Sequence, residues 1–334
     1  MTSCTTPDNA NPAYPTVGRL TTYDPAFHTV IAPDARIEKL AEGFTWAEGP
    51  AWIAGENGQA GYLLFTDVPE NTLYRWSERE GHSVFLKPSG YAGTDTSALR
   101  EAGANGLYAE PGGTVLLADS GSRLLARLDP RTKRKTTLAA SFRGKRFNSP
   151  NDVVRRSDGR VFFTDPPYGL EGLHDSPVKE LPFSGVYRLD PDGSVHLLDD
   201  GLRFPNGIAL SPDERTLYVA NSDSEHPVWI AYALDDAGAV QDRRVFADAS
   251  DLVGDTNPGL PDGLAVATDG TLFATGPGGV LVVAPDGKRL GRIETGTAVA
   301  NCAFGDADGR TLYMSSHTFI ARVRTKVKGM DSAR

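Results

Sequence analysis

One short phrase recurs six times along the chain. An acidic or amide residue opens a small apolar run at Glu48 (EGPAW), Asn105 (NGLYA), Asn151 (NDVVR), Asn206 (NGIAL), Asp262 (DGLAV) and Asn301 (NCAFG), at intervals of 57, 46, 55, 56 and 39 residues. After each head comes a turn with Gly or Asp, then a β-rich run: GYLLFTD, TVLLADS, RVFFTDP, TLYVANS, TLFATGP and TLYMSSH. A third run often follows (TLYRWS, LLARLDP, GVYRLDP, GVLVVAP), and a fourth appears in HSVFL, VHLLDD and RRVFAD. Each unit reads as a four-stranded meander. Repeats of about forty to fifty residues with four strands apiece mark a β-propeller, whose blades pack face to face because none can bury its own surfaces.

The sixth unit ends soon after FIARVRT without an outer strand, whereas ARIEKLAEGF, from Ala35, is strand-like and precedes the first head. The expected fold is therefore an all-β, six-bladed propeller of four-stranded antiparallel blades, its ring closed by this N-terminal strand. Residues 1–34 are expected to form an N-terminal extension, 35–326 the catalytic propeller domain and 327–334 a C-terminal tail. The 36 glycines and 23 prolines in 334 residues suit a fold of many tight turns and few long helices.

The formal charge of −9 argues against a surface that tracks phosphates, so nucleic acid is not an expected partner. The basic cluster RTKRK, Arg131 to Lys135, reads as a solvated hairpin loop. Cys4 and Cys302 provide neither a disulfide framework nor a cysteine metal site, and Cys302 reads as a small buried hydrophobe. No run approaches the length of a membrane span, and no apolar signal core follows Met1. A cytoplasmic protein is expected from the chain as written. A periplasmic one stays open, because the polar MTSCTTPDNANPAYP can be a terminus from which a signal has been removed.

In a propeller the innermost strand of each blade lines the central channel, so all six heads converge at one mouth. The segments TDPPYGLEGLHDSPVKELPFSG and NSDSEHPVW return to that face and read as long loops forming pocket walls. Two heads are carboxylates, Glu48 and Asp262, and four are amides, Asn105, Asn151, Asn206 and Asn301. Any single NG or DG commonly caps a turn. As a ring of oxygen donors without a His or Cys cluster, the heads suit a hard divalent cation such as calcium better than zinc or copper.

WAEGPAW, SPNDVVRRSDGRVFFTDPPYG, PNGIALSPDERTLYVAN and PDGLAVATDGTLFAT resemble the motifs of the senescence marker protein/gluconolactonase family of six-bladed propellers. The resemblance runs from about Ala35 to Arg324 and is closest to the bacterial gluconolactonase branch. It implies a metal-dependent hydrolase of sugar lactones, with Glu48, Asn206 and Asp262 at metal-binding positions. Asn151 matches a position that contacts metal in some members and substrate or a metal-bound water in others. One animal branch carries an Arg-Phe pair just before that asparagine; Ser149 and Pro150 stand here, so an animal-type pocket is not implied.

A lactone is a cyclic ester, and a cation at the mouth can polarise its carbonyl and stabilise the oxyanion. One divalent ion is expected, calcium first, with Mg2+, Mn2+, Fe2+ or Zn2+ open. Asp262 is the candidate general base, although a carboxylate beside a dication is a weaker base. Asn105, Asn151 and Tyr168 of DPPYG are candidates for substrate hydroxyls. His174, His226 and His317 have no metal-site spacing and read as solvated loop histidines. Asp192 and Asp286 read as turn residues, and no G-x-S-x-G is present. Two alternatives stay open: a metal-dependent phosphotriesterase resembling diisopropylfluorophosphatase, and a non-catalytic propeller that binds a ligand at its face.

Overall fold

The structure, a computed structural model, describes residues 14–55, 58 and 60–330; Cys4 lies outside them. Successive apolar runs form six antiparallel blades, each with its head at the start of the innermost strand. The first blade comprises Ala47–Ile53, Tyr62–Asp67, Thr72–Ser77 and Gly81–Leu86, and the second Leu107–Ala109, Val115–Asp119, Leu124–Asp129 and Arg134–Ala139. The third contains Val153–Arg155, Val161–Asp165, Gly185–Leu189 and Val195–Asp199. The fourth contains Pro205–Leu210, Thr216–Asp223, His226–Leu234 and Val240–Asp248. Leu264–Val266, Leu272–Gly276, Gly279–Val283 and Arg289–Glu294 make the fifth; Asn301–Gly305, Thr311–Ser316 and Phe319–Arg324 begin the sixth.

The strand Ile37–Glu42 completes the sixth blade by pairing antiparallel with Phe319–Arg324, from Ile37 opposite Val323 to Glu42 opposite Phe319. The ring is thus closed by the N-terminal strand, and Arg322 Nε reinforces the junction by donating to Glu38 Oε2 at 2.7 Å.

Side chains alternate between the two faces of a strand, yet runs such as LLF are apolar throughout because each blade is covered on both sides. Leu64 packs with Leu107 and Leu117 of the next blade, whereas its neighbours Leu63 and Phe65 pack with Tyr313 and Ile320 of the preceding one. The core is accordingly a set of apolar layers between blades. Cys302 is buried in one of them, beside Phe273 and Phe304.

Two segments differ from the sequence reading. NSDSEHPVW is not an open loop: Thr216–Asp223 and His226–Leu234 are long strands that stay paired to Asp223 opposite His226. Its polar residues read as loop, but Asn221 and Ser222 are buried and hydrogen-bonded. RTKRK is only partly solvated, because Arg134–Ala139 is an outer strand and Lys135 turns inward to Asp119 at 2.7 Å.

Within residues 1–34, Arg19–Thr22 adds a fifth strand to the fifth blade, with Arg19 opposite Glu294. The short helix Phe27–Val30 buries Phe27 and Val30 against the fifth and sixth blades. At the other terminus, Gly329 and Met330 donate their N–H groups to Gly309 O and Val266 O. Among the described residues no helix is long and apolar enough to cross a membrane.

Candidate metal and substrate site at the channel mouth

Backbone packing brings the heads together. The head N–H groups of Asn105, Asn151 and Asp262 donate to Ala118 O, Thr164 O and Thr275 O of their own second strands at 2.9, 2.9 and 3.1 Å. The next residue meets the following head or the residue just before it around the ring: Gly106 N–H donates to Asn151 O at 2.7 Å and Gly263 N–H to Ala300 O at 2.8 Å. A Cβ at Gly207 would lie 2.1 Å from Asp262 O, so this close approach requires glycine.

Hydroxyls on, or just after, the second strands tie each of the first five blades to the next. Thr66 Oγ1 donates to Asn105 O at 3.0 Å, Ser120 Oγ to Pro150 O at 2.6 Å, and Thr164 Oγ1 to Asn206 O at 2.7 Å. Ser222 Oγ donates to Pro261 O, and Thr275 Oγ1 to Ala300 O at 3.1 Å. The acidic or amide residues late in these strands pin the chain entering each head. Asp67 accepts from Thr45 N and Trp46 N, Asp165 from Asn148 N and Ser149 N, and Asn221 from Phe204 N. Burial pushes the Asp165 carboxyl up to about 7, against the opposing pull of those two N–H donors and Arg123.

Glu48 is buried, with Oε2 accepting from Gly49 N at 3.1 Å and Oε1 from Trp46 Nε1 at 3.4 Å. Asn206 donates through Nδ2 to Ser222 Oγ at 3.0 Å, which leaves Oδ1 as the end that could hold a cation. Asp262 is half-buried, and its Oδ1 is buried with no hydrogen-bond partner among the described residues. Asn105, Asn151 and Asn301 are all buried. Asn301 turns its Oδ1 to the following Cys302 N at 2.8 Å. The channel below is nearly filled: a cavity of about 40 Å³ is lined by Asp152 and Asn301 among mostly apolar residues down to Met330. A cavity of about 390 Å³ beside Trp52, Tyr108 and Asp306 lies toward the opposite ends of the inner strands, away from the heads.

Burial, then the negative charges of Glu48, Asp152 and Glu101, hold the Asp262 carboxyl well above the usual carboxylate range. Glu48 is pushed up to about 8, chiefly by burial, with Asp152 and Glu101 adding to it. A dication beside these groups reverses that balance by favouring both ionised forms. Among the described residues no three His, Cys, Asp or Glu side chains are arranged to hold a metal. The set Glu48, Asn151, Asn206 and Asp262 is of another kind, two carboxylates with two amides. Its all-oxygen chemistry and the orphaned Asp262 Oδ1 fit a hard cation.

Tyr168 is set at the rim by its ring, which stacks on Phe204 at 5.2 Å and 16°. Its hydroxyl lies 3.5 Å from Ser222 O, and its pKa is raised by burial and by the Asp262 charge. It is therefore a hydrogen-bond donor at neutral pH, within electrostatic reach of the carboxylates.

The family profile described as SMP-30/Gluconolactonase/LRE-like region matches residues 42–318, a span that contains all six heads. The chain belongs to this family. It is 42% identical over 319 residues to a gluconolactonase of Zymomonas mobilis, covering 94% of this chain and 88% of that one. Pentonolactonase XacC of Haloferax volcanii is 28% identical over 276 residues, covering 80% of each chain. The structure of a gluconolactonase from Xanthomonas campestris superposes with a TM-score of 0.78 at 31% identity, covering 95% of this chain and 99% of that one.

In this SMP-30/gluconolactonase propeller, three residues near the mouth are absent from the sequence reading. Asp152 follows a head where four sisters have glycine, and its carboxylate accepts Val153 N at 2.9 Å and Ile208 N at 3.2 Å. That substitution was the available signal. Ser222 was obscured by its polar surroundings, and Glu101 carries no pattern at all. Two of the three histidines, His174 and His317, are half-buried in ring contacts rather than solvated. His174 meets the Phe204 ring edge-on at 4.7 Å, His317 packs on Trp46 at 5.1 Å, and His226 is exposed at a strand start. Asp192 and Asp286 are turn residues, accepting from Ser194 N and Lys288 N.

Proposed function

We propose that the chain is a lactonase that opens sugar lactones such as gluconolactone, with a divalent cation, calcium first, held by Glu48, Asn151, Asn206 and Asp262. The observation that carries the reading is the buried, unpartnered Asp262 Oδ1 beside Glu48 at the converging heads. Likeness to gluconolactonases supports the substrate class. When bound, the cation supplies Lewis-acid polarisation of the ester carbonyl.

The protein's own groups do the rest. Asp262 accepts a proton from the water that attacks the carbonyl carbon; the ring C–O bond then breaks, and the proton passes to the departing ring oxygen. The products are the hydroxyl and carboxyl ends of an aldonic acid. Asn105, Asn151 and Tyr168 orient the sugar hydroxyls.

The test is a pH-indicator screen of aldono-lactones against metal-stripped protein with calcium, magnesium, manganese, iron or zinc restored, run beside an organophosphate triester. Metal-dependent opening of a sugar lactone is expected. Absence of opening with every metal overturns the reading, and hydrolysis of the triester alone would move the function to phosphotriesters.

A further inference from the structure

Two loops from different blades are sewn together at the rim of the mouth. Arg100 N–H and Glu101 N–H both donate to Gly169 O, at 3.0 and 3.4 Å, and Glu171 N–H donates to Ala98 O at 3.0 Å. Leu99 and Leu170 form an isolated antiparallel bridge at the same place. The segment before the second head is therefore held against the loop that carries Tyr168, and Arg100 Nη1 adds a bond to Tyr168 O at 3.2 Å.

This seam presents a carboxylate to the site. Glu101 has a side-chain exposure of 15%, and its carboxylate partner is Arg100 Nη1 at 3.3 Å, itself 49% exposed. Its charge acts on Glu48, Asp262 and Tyr168, three groups of the mouth contributed by three different blades. A largely desolvated carboxylate with one longish ion pair retains acceptor capacity toward the mouth. The bond network fixes the backbone that carries it.

We propose that Glu101 is a specificity-determining residue that accepts hydrogen bonds from the hydroxyls of a polyhydroxylated lactone, with Arg100 orienting its carboxylate. The inference rests on the lactonase reading for its substrate class. A buried acceptor discriminates strongly against an analogue lacking the hydroxyl, because that analogue leaves it unpaired. Glu101 thereby favours sugar lactones over plain cyclic esters.

The test compares wild type, Glu101→Gln and Glu101→Ala, each checked for native melting behaviour, on gluconolactone and on δ-valerolactone, which has no hydroxyls. The ratio of kcat/KM for the two substrates is expected to fall by about 10- to 100-fold in both variants, mainly through KM for gluconolactone. Equal losses on both substrates, or no loss on either, would overturn the proposal. If wild type opens neither ester, the lactonase reading fails separately, and calorimetric binding of gluconate then reads Glu101. Binding at least tenfold weaker in Glu101→Gln sustains the inference, whereas unchanged binding, or none in wild type, sinks it.

Discussion

Asn206 Nδ2 donates to Ser222 Oγ at 3.0 Å, and that hydroxyl in turn donates to Pro261 O, the residue before Asp262. One buried serine thus orients the head of the fourth blade and anchors the entry to the head of the fifth. Ser222→Ala leaves the Asn206 amide and the Pro261 carbonyl without their partner. It is expected to weaken cation binding by about 10-fold, with Ser222→Thr, which keeps the hydroxyl, recovering much of the loss. Metal titration by calorimetry reads both.

Asp262→Asn keeps the shape of the head and removes its charge and basicity. At saturating metal, kcat for lactone opening is expected to fall by about 100-fold or more. Near-normal turnover with metal still bound would remove Asp262 from the proton-transfer role.

Metal removal has a pH signature. In the metal-free protein Glu48 ionises only near pH 8, against 4.5 for its ordinary value. The folded state therefore holds a proton that the unfolded state has lost between those limits, so this contribution to stability is full below about 4.5 and is lost as pH rises through about 8. Asp262, raised in the same direction, adds to the trend. Melting temperatures of chelated protein are expected to decline across this window, and the gain on adding calcium to grow with pH. A calcium effect independent of pH would contradict the two-carboxylate site.

Gly207 has no room for a side chain, since a Cβ would sit 2.1 Å from Asp262 O and 2.6 Å from Gly263 Cα. Gly207→Ala must push two heads apart. A loss of about 1–3 kcal/mol in denaturant unfolding is expected, together with weaker metal binding. Wild-type stability in this variant would show that the heads are not in the close contact described.

Phe27 is fully buried although it precedes the strand that closes the ring. Phe27→Ala is expected to cost about 3–5 kcal/mol in equilibrium unfolding. A change near zero would show that the N-terminal segment contributes little to the folded domain.

Much of the architecture was legible because it is written in local pattern. The turn after each head and the runs VFFTD, TLYVA and LFATG announce strands within a few residues, and their sixfold recurrence implies blades. The missing outer strand of the last unit, beside an unpaired ARIEKLAEGF, pointed to closure. RLTT at Arg19–Thr22 was too short to announce itself; the open edge of the fifth blade makes it a strand.

By itself, the sequence determined the repeat, the closing strand and the six oxygen-bearing heads, because strand period and turn chemistry act over a few residues. Only the tertiary structure decided which other groups share the mouth. Asp152 reaches Ile208 across a blade junction, Ser222 is buried in what reads as a polar loop, and Glu101 is held by bonds to a loop some seventy residues away. Such meetings depend on how blades and loops pack around the channel, and no periodicity along the chain encodes that packing.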